Sequence, residues 1–283
     1  NGIPVKSKLI SSVSKINKIG SYFPELYNYV LTNNLTSFII KKGLGFSTKR
    51  KLPLLNDITF SKWYKRIGKH IISNDKPKRI VYFFIDEFSE YNDVKIAIKM
   101  LKLFNVLGYK VIIPGNYESG RAALSRGLLP KTRRVAEKNI KIFASLITQE
   151  TPLIGIEPSA ILSFRDEYPD LVKPALRDSA EKISKYTFMV DEFLTKEYKK
   201  GNIDRDLFTT NYKYIRLHGH CHQKAIVGIQ PTIEILEIPI NYKVKEIKSG
   251  CCGMAGDFGY EKNNYELSMK IGELVLFPEI REE

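Results

Sequence analysis

The stretch that decides the fold is Ile80-Val81-Tyr82-Phe83-Phe84-Ile85, six consecutive apolar residues. A run of this kind, without polar alternation, is typical of a short strand buried on both faces of a parallel sheet. A helical pattern follows over 94–104, ends at Gly108 and leads into a second strand at 110–113. Residues 80–113 therefore predict a βα unit followed by a parallel strand.

The βα alternation continues along the rest of the chain. Further strands are predicted at 153–156, 214–217 and 242–247, and further helices at 120–128, 131–148, 174–186, 189–199, 231–236 and 260–277. Elements that alternate at these lengths predict an α/β fold with parallel sheets. Before residue 79 the chain shows short helical patterns without βα alternation, which indicates a helical arm.

An internal repeat divides the α/β region into two halves. A gapless shift of 133 residues places Tyr109-Lys110-Val111 on Tyr242-Lys243-Val244, and Gly120 on Gly253. These matches fall on equivalent strands and strand-end loops, which favours two related Rossmann-like units. The expected organisation is a basic helical arm over 1–79, a first half over 80–212 and a second half over 213–283.

The net charge of +14 comes almost entirely from the arm. Residues 1–80 hold 16 basic and 3 acidic side chains, so the remaining 203 residues are close to neutral. No nucleic-acid reader motif or regular aromatic platform accompanies this charge, so nucleic acid is not an expected partner. The basic segment is either a solvated face or a surface that docks on an acidic partner or an anionic membrane.

The sequence predicts neither a membrane span nor a signal peptide, because its longest uncharged stretch in the arm, 26–40, is short and contains several polar residues. The first residue is not methionine, which suggests either a piece of a longer protein or a processed start. Three cysteines form no disulfide framework. We expect reduced thiols and a cytoplasmic protein, with a peripheral position at the inner face of the membrane as the alternative.

The cysteines lie in two segments that follow neighbouring predicted strands. They are His218-Gly219-His220-Cys221-His222 and Ser249-Gly250-Cys251-Cys252-Gly253. Loops at the carboxyl ends of parallel strands lie side by side, so we expect the thiols and imidazoles to gather at one edge of the sheet. Thiolate and imidazole are ligands for zinc and iron, which predicts a metal site. The alternatives are structural cysteines and a nucleophilic cysteine paired with His222.

The longer segments that contain these motifs resemble a known family. They are His218-Gly219-His220-Cys221-His222-Gln223-Lys224-Ala225, Ser249-Gly250-Cys251-Cys252-Gly253-Met254-Ala255-Gly256 and Phe258-Gly259-Tyr260-Glu261. They resemble the second cysteine-rich (CCG) domain of iron–sulfur oxidoreductases, which include iron–sulfur subunits of glycolate oxidase and anaerobic glycerol-3-phosphate dehydrogenase. The resemblance covers about residues 50–283 and is strongest to fused flavoproteins that join an FAD-binding 2-hydroxyacid dehydrogenase part, a ferredoxin-like part and two CCG domains.

This resemblance implies that the chain is the C-terminal portion of such an enzyme. It would be a metal-binding module for electron transfer or docking, within a flavin-dependent oxidoreductase that oxidises D-lactate, D-2-hydroxyglutarate or glycolate. FAD is expected only on the part that precedes it, and the flavin and ferredoxin-like parts are the expected partners. The isolated chain is expected not to oxidise the substrate. The alternative is a zinc-stabilised structural module without a redox role.

The first half departs from the family pattern of one cysteine, an adjacent pair and a closing Cys-x-x-Cys. Those positions fall on Phe88, on Glu118-Ser119 and on Glu157-Pro158-Ser159-Ala160, so every ligand cysteine is missing. The residues that could line a modified pocket there are Glu118, Arg121, Glu157, Arg165 and Glu167. The other interpretation of these side chains is that they serve as helix caps and ion-pair partners.

The second half keeps Cys221, Cys251 and Cys252 but lacks the closing Cys-x-x-Cys. Three thiolates leave a four-ligand site incomplete, so a histidine is the expected fourth ligand. The resemblance favours His222 and His218 for this role. A zinc ion with three cysteines and one histidine fits this set, and so does an iron or iron–sulfur site completed by histidine.

Overall fold

The computed structural model describes residues 2–71, 76–115 and 117–282 of the chain. It divides into two compact units, residues 1–188 and 189–283. The predicted α/β class with parallel strands is confirmed. The boundaries predicted at 79/80 and 212/213 were placed by the sequence repeat, whereas the two units are defined by their compactness in the structure. The predicted boundaries stay a prediction.

The arm is helical, as predicted. Its elements are α1 (Val5–Ile10), α2 (Val13–Gly20), α3 (Pro24–Thr32), α4 (Asn34–Leu44), α5 (Phe60–Trp63) and α6 (Lys69–Ile71), with a π-helical segment at Tyr64–Gly68. The side chain of Asn33 caps α4 by accepting hydrogen bonds from the main-chain N–H groups of Leu35 and Thr36. Gly45, at φ +71, ends the helix in the left-handed conformation that favours glycine.

A four-stranded sheet in the order β2-β1-β3-β4 lies in the N-terminal unit, and β1 pairs parallel with both β2 and β3. Its strands are β1 (Arg79–Phe83), β2 (Tyr109–Ile112), β3 (Leu153–Gly155) and β4 (Thr187–Met189). β1 lies between β2 and β3, with Arg79 opposite Tyr109 and Tyr82 opposite Leu153. This central position explains the uninterrupted apolar run in the sequence, because helices pack on both faces of a central strand in a parallel sheet.

Helices follow each strand of the N-terminal unit. They are α7 (Glu87–Tyr91), α8 (Val94–Val106), α9 (Arg121–Leu124), α10 (Leu129–Phe143), α11 (Pro158–Leu162), α12 (Glu167–Leu171) and α13 (Arg177–Lys185), with a 3-10 turn at Pro174–Leu176. Aromatic rings fill the space between sheet and helices, and Phe84 is in contact with the rings of Phe143 and Phe164 at centroid distances of 6.2 and 5.0 Å. The packing of these rings fixes the helices on the sheet.

The C-terminal unit contains a two-stranded parallel sheet. Its elements are α14 (Val190–Lys199), β5 (Lys213–Leu217), α15 (Cys221–Ile226), α16 (Gln230–Leu236), β6 (Tyr242–Glu246), α17 (Tyr265–Glu273) and α18 (Leu276–Arg281), with 3-10 turns at Arg205–Leu207, Phe258–Tyr260 and Lys262–Asn264. α14 packs against α16, where the Thr195 hydroxyl donates a hydrogen bond to the main-chain oxygen of Pro231 at 2.7 Å. β5 and β6 pair with Lys213 opposite Tyr242.

The two units differ in the size of their apolar cores. Among the described residues, 31 buried apolar side chains belong to the N-terminal unit and eight to the C-terminal unit. The hydrophobic stabilisation of the protein therefore lies mainly in the N-terminal unit. None of the described helices is long and apolar enough to cross a membrane.

The strand register corrects the gapless repeat by one residue. Residue 79 pairs with residue 109 in the first half, whereas residue 213 pairs with residue 242 in the second, so the second half is one residue shorter between its strands. The helix starts agree with this register, since α7 begins at Glu87 and α15 at Cys221. The counterpart of Cys221 is therefore Glu87, and the expected match with Phe88 is wrong.

Candidate metal centre

The three cysteines lie beyond the carboxyl ends of two paired strands. β5 ends at Leu217 and leads to Cys221, and β6 ends at Glu246 and leads to Cys251 and Cys252. Leu217 lies opposite Glu246 in the sheet. The two cysteine-bearing loops therefore leave the same edge of the sheet from neighbouring strands.

Cys221 is the first residue of α15. His220 caps this helix, because its Nδ1 accepts a hydrogen bond from the main-chain N–H of His222 at 3.2 Å. All three cysteines are free thiols; Cys221 is exposed, and Cys251 and Cys252 are half-buried. Thiols of this kind are accessible for metal binding.

Cys251 and Cys252 lie close enough to Cys221 to affect its ionisation. Partial burial raises the pKa of the Cys221 thiol, and a hydrogen bond with Cys251 and the proximity of both neighbouring thiols raise the pKa further. The ammonium group of Lys224 acts in the opposite direction. A thiol with a raised pKa is protonated at neutral pH, so a metal ion that binds here must displace protons.

A polar contact joins the two loops. His218 Nδ1 lies 2.7 Å from Ser249 Oγ, and Lys224 Nζ donates a hydrogen bond to the main-chain oxygen of Ser249 at 2.5 Å. Burial lowers the pKa of His218, and the charges of Lys224 and His220 lower it further. Neutral imidazole is the form that binds a metal, so this environment suits His218 as a ligand.

The glycine that follows the cysteine pair anchors the loop. Gly253 has φ +81, and a Cβ at this position would lie 2.1 Å from the main-chain oxygen of Ser268 on α17. The main-chain N–H of Gly253 also donates a hydrogen bond to Cys251 Sγ at 3.3 Å. Only glycine fits this close approach, and it holds the cysteine pair against α17.

The donor set fits zinc or iron. Three sulfurs and one imidazole, from His218 or His222, make the four ligands that such a site takes. In the described part of the C-terminal unit, no three of these ligand atoms lie mutually within 4.8 Å. The ligand assignment therefore rests on donor chemistry and on the shared edge of the sheet, and the choice between the two histidines stays a prediction.

In the first half, hydrogen bonds between oxygen-bearing side chains join the two loops at the equivalent edge of the sheet. The carboxylate of Glu87, which corresponds to Cys221, accepts hydrogen bonds from the N–H and the hydroxyl of Ser119 at 2.8 and 2.7 Å. Ser119 corresponds to Cys252 in the repeat. The main chain agrees with this match, because Gly120 has φ +74 and Gly253 has φ +81.

Two further buried side chains hold the loop that carries Ser119. The Tyr168 hydroxyl donates a hydrogen bond to the main-chain oxygen of Ser119 at 2.7 Å. Asn139 Nδ2 donates to the main-chain oxygen of Glu118 and to the Tyr168 hydroxyl, both at 3.0 Å. These hydrogen bonds fix the loop of the first half from two buried side chains.

The carboxyl groups beside this loop have perturbed ionisation. Burial raises the pKa of Glu87 to about 7, and the neighbouring carboxyl of Asp86 contributes to the rise. Burial and the charge of Glu157 raise the pKa of Asp86 to about 6, although Asp86 also accepts hydrogen bonds from Phe88 and Ser89 at the start of α7. Both groups therefore exchange protons near neutral pH.

A small polar cavity adjoins these carboxyl groups. Its volume is about 150 Å³, and Glu118, one of the predicted pocket residues, lines it. The other lining residues are Ser14, Lys18, Asp86, Glu87, Glu90, Tyr91 and Tyr117. The arm therefore contributes to this cavity through α2.

The other predicted pocket residues make structural contacts. Glu157 caps α11 by accepting a hydrogen bond from the N–H of Ala160 at 2.5 Å. Arg121 forms an ion pair with Glu167. Arg165 lies in the turn between α11 and α12. A ligand-binding role for this group stays a prediction.

Sequence reasoning missed Glu87, Ser249 and Lys224. Glu87 was missed because a gapless shift cannot detect a one-residue difference in spacing. Ser249 and Lys224 stand inside the cysteine-bearing motifs, but neither is a usual zinc or iron ligand, so no signal in the sequence singled them out.

The chain is similar to curated dehydrogenases over nearly its whole length. It is 23% identical to a D-2-hydroxyglutarate dehydrogenase of Pantoea ananatis, over 98% of this chain and 27% of that protein. It is 22% identical to a D-2-hydroxyglutarate dehydrogenase of Escherichia coli, over 96% of this chain and 26% of that protein. It is 23% identical to a subunit of the anaerobic glycerol-3-phosphate dehydrogenase of Escherichia coli, over 98% of this chain and 68% of that protein.

The chain thus spans about a quarter of the length of the D-2-hydroxyglutarate dehydrogenases that it matches. No family model matches the chain. No solved structure matches it either. These relatives support an oxidoreductase module of the dehydrogenase kind.

Proposed function

We propose that this chain is a metal-binding redox module of a larger flavin-dependent dehydrogenase that oxidises a 2-hydroxyacid. Cys221, Cys251 and Cys252, together with His218 or His222, would hold a zinc ion, an iron ion or an iron–sulfur cluster. An iron–sulfur cluster would accept and release single electrons near the acceptor side of the enzyme. The flavin and the ferredoxin-like clusters would be supplied by other parts of the same chain or complex.

The observation that carries this proposal is the position of the thiols. Cys221 and the Cys251–Cys252 pair follow neighbouring parallel strands, and Cys221 interacts with both other thiols. Structural cysteines scattered in a core would not be expected at one loop edge, since strand-end loops are where α/β folds build their sites. Reduced thiols also favour the cytoplasm as the compartment.

The names of the relatives support the dehydrogenase part of the proposal. Two of them are D-2-hydroxyglutarate dehydrogenases, so D-2-hydroxyglutarate is the first substrate to test, before D-lactate and glycolate. A third is one subunit of a dehydrogenase, which supports partners in a larger assembly. The oxidation itself belongs to the flavin part in this proposal.

The residues around the thiols have defined tasks in this proposal. The contact of His218 with Ser249 would orient the imidazole, as hydrogen-bonded partners of metal-binding histidines do. Lys224 would stabilise the thiolate form of Cys221, because its positive charge opposes the rise in the pKa of that thiol. Gly253 would keep the cysteine pair at the edge of the sheet.

Metal analysis of anaerobically purified protein tests the site. We expect stoichiometric zinc or iron in the wild type, loss of the metal in Cys252→Ser, and full metal content in Ser119→Ala. Ser119 is the matched control, because it occupies the position of Cys252 in the half that lacks cysteines. A wild-type protein without stoichiometric zinc or iron would contradict the proposal, as would a Cys252→Ser variant with unchanged metal.

A dye-reduction assay tests the module assignment. The isolated chain should not reduce a dye with D-2-hydroxyglutarate, whereas the chain combined with its flavin and ferredoxin-like parts should. Reduction by the isolated chain alone would refute the assignment.

A zinc-stabilised interaction module is the second candidate function. The observation in its favour is the small apolar core of the C-terminal unit, which a structural metal would supplement. The visible spectrum separates the two candidates: absorption from iron–sulfur charge transfer supports the redox module, and a colourless protein with stoichiometric zinc supports the structural one.

A further inference from the structure

The α3–α4 hairpin of the arm carries its apolar side chains on the outside. On α4, Ser37 and Lys41 are only 6% and 7% exposed, whereas Leu35 and Phe38 are 68% and 48% exposed. A helix that packs on a globular core normally buries its large apolar side chains and exposes its lysines. The pattern is reversed here, so the apolar face of the helix points to solvent.

The exposed apolar side chains continue along three consecutive helices and the turn between the first two. We call this set the outer face; it consists of Ile19, Tyr22, Phe23, Leu26, Tyr29, Leu35, Phe38 and Ile39, each between 48% and 72% exposed. Single exposed apolar residues are common on protein surfaces, but a group of eight within 21 residues marks an interaction surface.

Hydrogen bonds hold the arm in this orientation. The side-chain amide of Asn28 exchanges two hydrogen bonds with the main chain of Leu55, at 2.8 and 2.9 Å. Asn17 Nδ2 donates to Asn92 Oδ1 at 3.2 Å on the first half. The helices are therefore fixed through their polar side, and the exposure of the outer face is a property of the folded arm.

Lysines lie beside two aromatic rings of the outer face. Lys42 Nζ lies 5.5 Å from the centre of the Phe38 ring, and Lys62 Nζ lies 5.7 Å from the centre of the Tyr22 ring. Residues 1–56 contain nine lysines or arginines and one acidic residue, Glu25. The surface therefore combines aromatic side chains, aliphatic side chains and cations, with almost no carboxylates.

We propose that the outer face docks on an anionic lipid bilayer, with its aromatic and aliphatic side chains inserted at the depth of the headgroups. Interfacial protein segments combine apolar and aromatic side chains with lysines that meet lipid phosphates. The near absence of carboxylates favours a uniformly anionic surface over a protein partner, which presents charges of both signs. This proposal does not depend on the metal site.

Co-sedimentation of the full chain with vesicles tests the proposal. We expect binding to vesicles of phosphatidylcholine with phosphatidylglycerol, and little binding to phosphatidylcholine alone. Phe23→Ser combined with Phe38→Ser should lower the partition coefficient at least about tenfold, because both side chains lose their burial in lipid. Lys42→Gln should lower it about fivefold, and added salt should weaken the wild type in the same direction.

Matched control variants on α8 distinguish binding through the outer face from nonspecific vesicle binding. Val106→Ser removes an apolar side chain that is 68% exposed, and Lys102→Gln removes an exposed cation; both should bind vesicles like the wild type. Circular dichroism should show that every variant is folded. The proposal fails if the wild type does not bind anionic vesicles, or if the Phe23/Phe38 variant binds like Val106→Ser. It also fails if that variant turns a dimer into a monomer with unchanged vesicle binding.

Discussion

In each βα half, two loops follow neighbouring parallel strands at the same edge of the sheet. The side chains at corresponding positions of these loops differ between the halves. In the first half, Glu87 accepts two hydrogen bonds from Ser119, and buried Asn139 and Tyr168 hold the same loop. In the second half, the corresponding positions are Cys221 and Cys252. Side chains of the first half join its two loops by hydrogen bonds, whereas the thiols on the two loops of the second half are the proposed ligands of a metal.

The two halves share the main-chain frame of this loop, although only the second half carries cysteines there. Gly120 and Gly253 keep the same left-handed conformation after Ser119 and Cys252. Where the second half would hold the proposed metal, the first half has a contact that depends on a proton, because the pKa of Glu87 is raised to about 7. Each of the following experiments tests one part of this contrast.

The largest expected difference between the halves is their response to a chelator. Removal of a metal from the second half should make the main-chain amides of β5 and β6 exchange hydrogen faster. The amides of β1 and β2 should stay protected. Structural metal sites contribute about 10 kcal/mol or more of binding free energy, which is comparable to the whole stability of a domain. Hydrogen exchange measured by mass spectrometry checks this. Equal loss of protection in both halves would contradict the contrast.

Alanine at the two glycines should affect the halves unequally. Gly253→Ala is expected to lower the free energy of unfolding by at least about 3 kcal/mol, because its Cβ would lie 2.1 Å from the main-chain oxygen of Ser268. Gly120→Ala should cost about 1–2 kcal/mol, since the nearest atom to its Cβ is a Val135 side-chain carbon at 3.3 Å. Denaturant unfolding of both variants measures the difference, and equal costs would show that the two loops are not held as described.

The first half should lose stability as the pH rises. The pKa of Glu87 is raised from 4.5 to about 7 and that of Asp86 from 3.8 to about 6. The folded state therefore keeps these protons where the unfolded state has released them. The contribution of these two groups to the free energy of unfolding is fully present below pH ~4 and is lost as the pH rises through about 7. Glu87 contributes about 3 kcal/mol of it.

Glu87→Gln should flatten this pH dependence, while exposed Glu181→Gln should leave it unchanged. The full chain is unfolded with denaturant at several pH values between 4 and 8, and unfolding is followed in peptides from residues 1–188. The free energy of unfolding of each variant is then compared with that of the wild type. If the two variants show the same pH profile, Glu87 does not carry the effect.

The smallest expected effect concerns the contact between His218 and Ser249. Ser249→Ala should weaken metal binding about 10- to 100-fold, because the imidazole loses the partner that orients it. Ser249→Thr keeps the hydroxyl and should bind close to the wild-type level. Competition with a chromophoric zinc chelator measures both affinities. An unchanged affinity in Ser249→Ala would favour His222 as the histidine ligand.

Much of the fold could be predicted from hydrophobic patterning. The predicted strands at 80–85, 110–113 and 153–156 correspond to β1, β2 and β3, because buried parallel strands are continuous apolar runs. β4 (Thr187–Met189) was missed, because this short strand lies directly between the helices predicted at 174–186 and 189–199. The helix predicted at 260–277 divides into α17 and α18, preceded by two 3-10 turns, and Asn263 and Asn264 in this region compete with helix formation.

The candidate site was predictable only in part. The neighbouring loops of Cys221 and the Cys251–Cys252 pair followed from the strand order, which the structure confirms. The role of Glu87 did not follow, because it depends on strand register, and register is set by three-dimensional pairing. The ring position of His218 beside Ser249 likewise depends on side-chain packing across two loops.

The eight buried apolar side chains in the described part of the C-terminal unit have a consequence for the lifetime of the protein in a cell. A unit with so small a core and a two-stranded sheet has little stability of its own. If metal supplies the remainder, a newly made chain that has not yet been loaded will open more often and meet proteases first. The abundance of the protein would then follow the supply of metal, with chains that lack it removed before assembly.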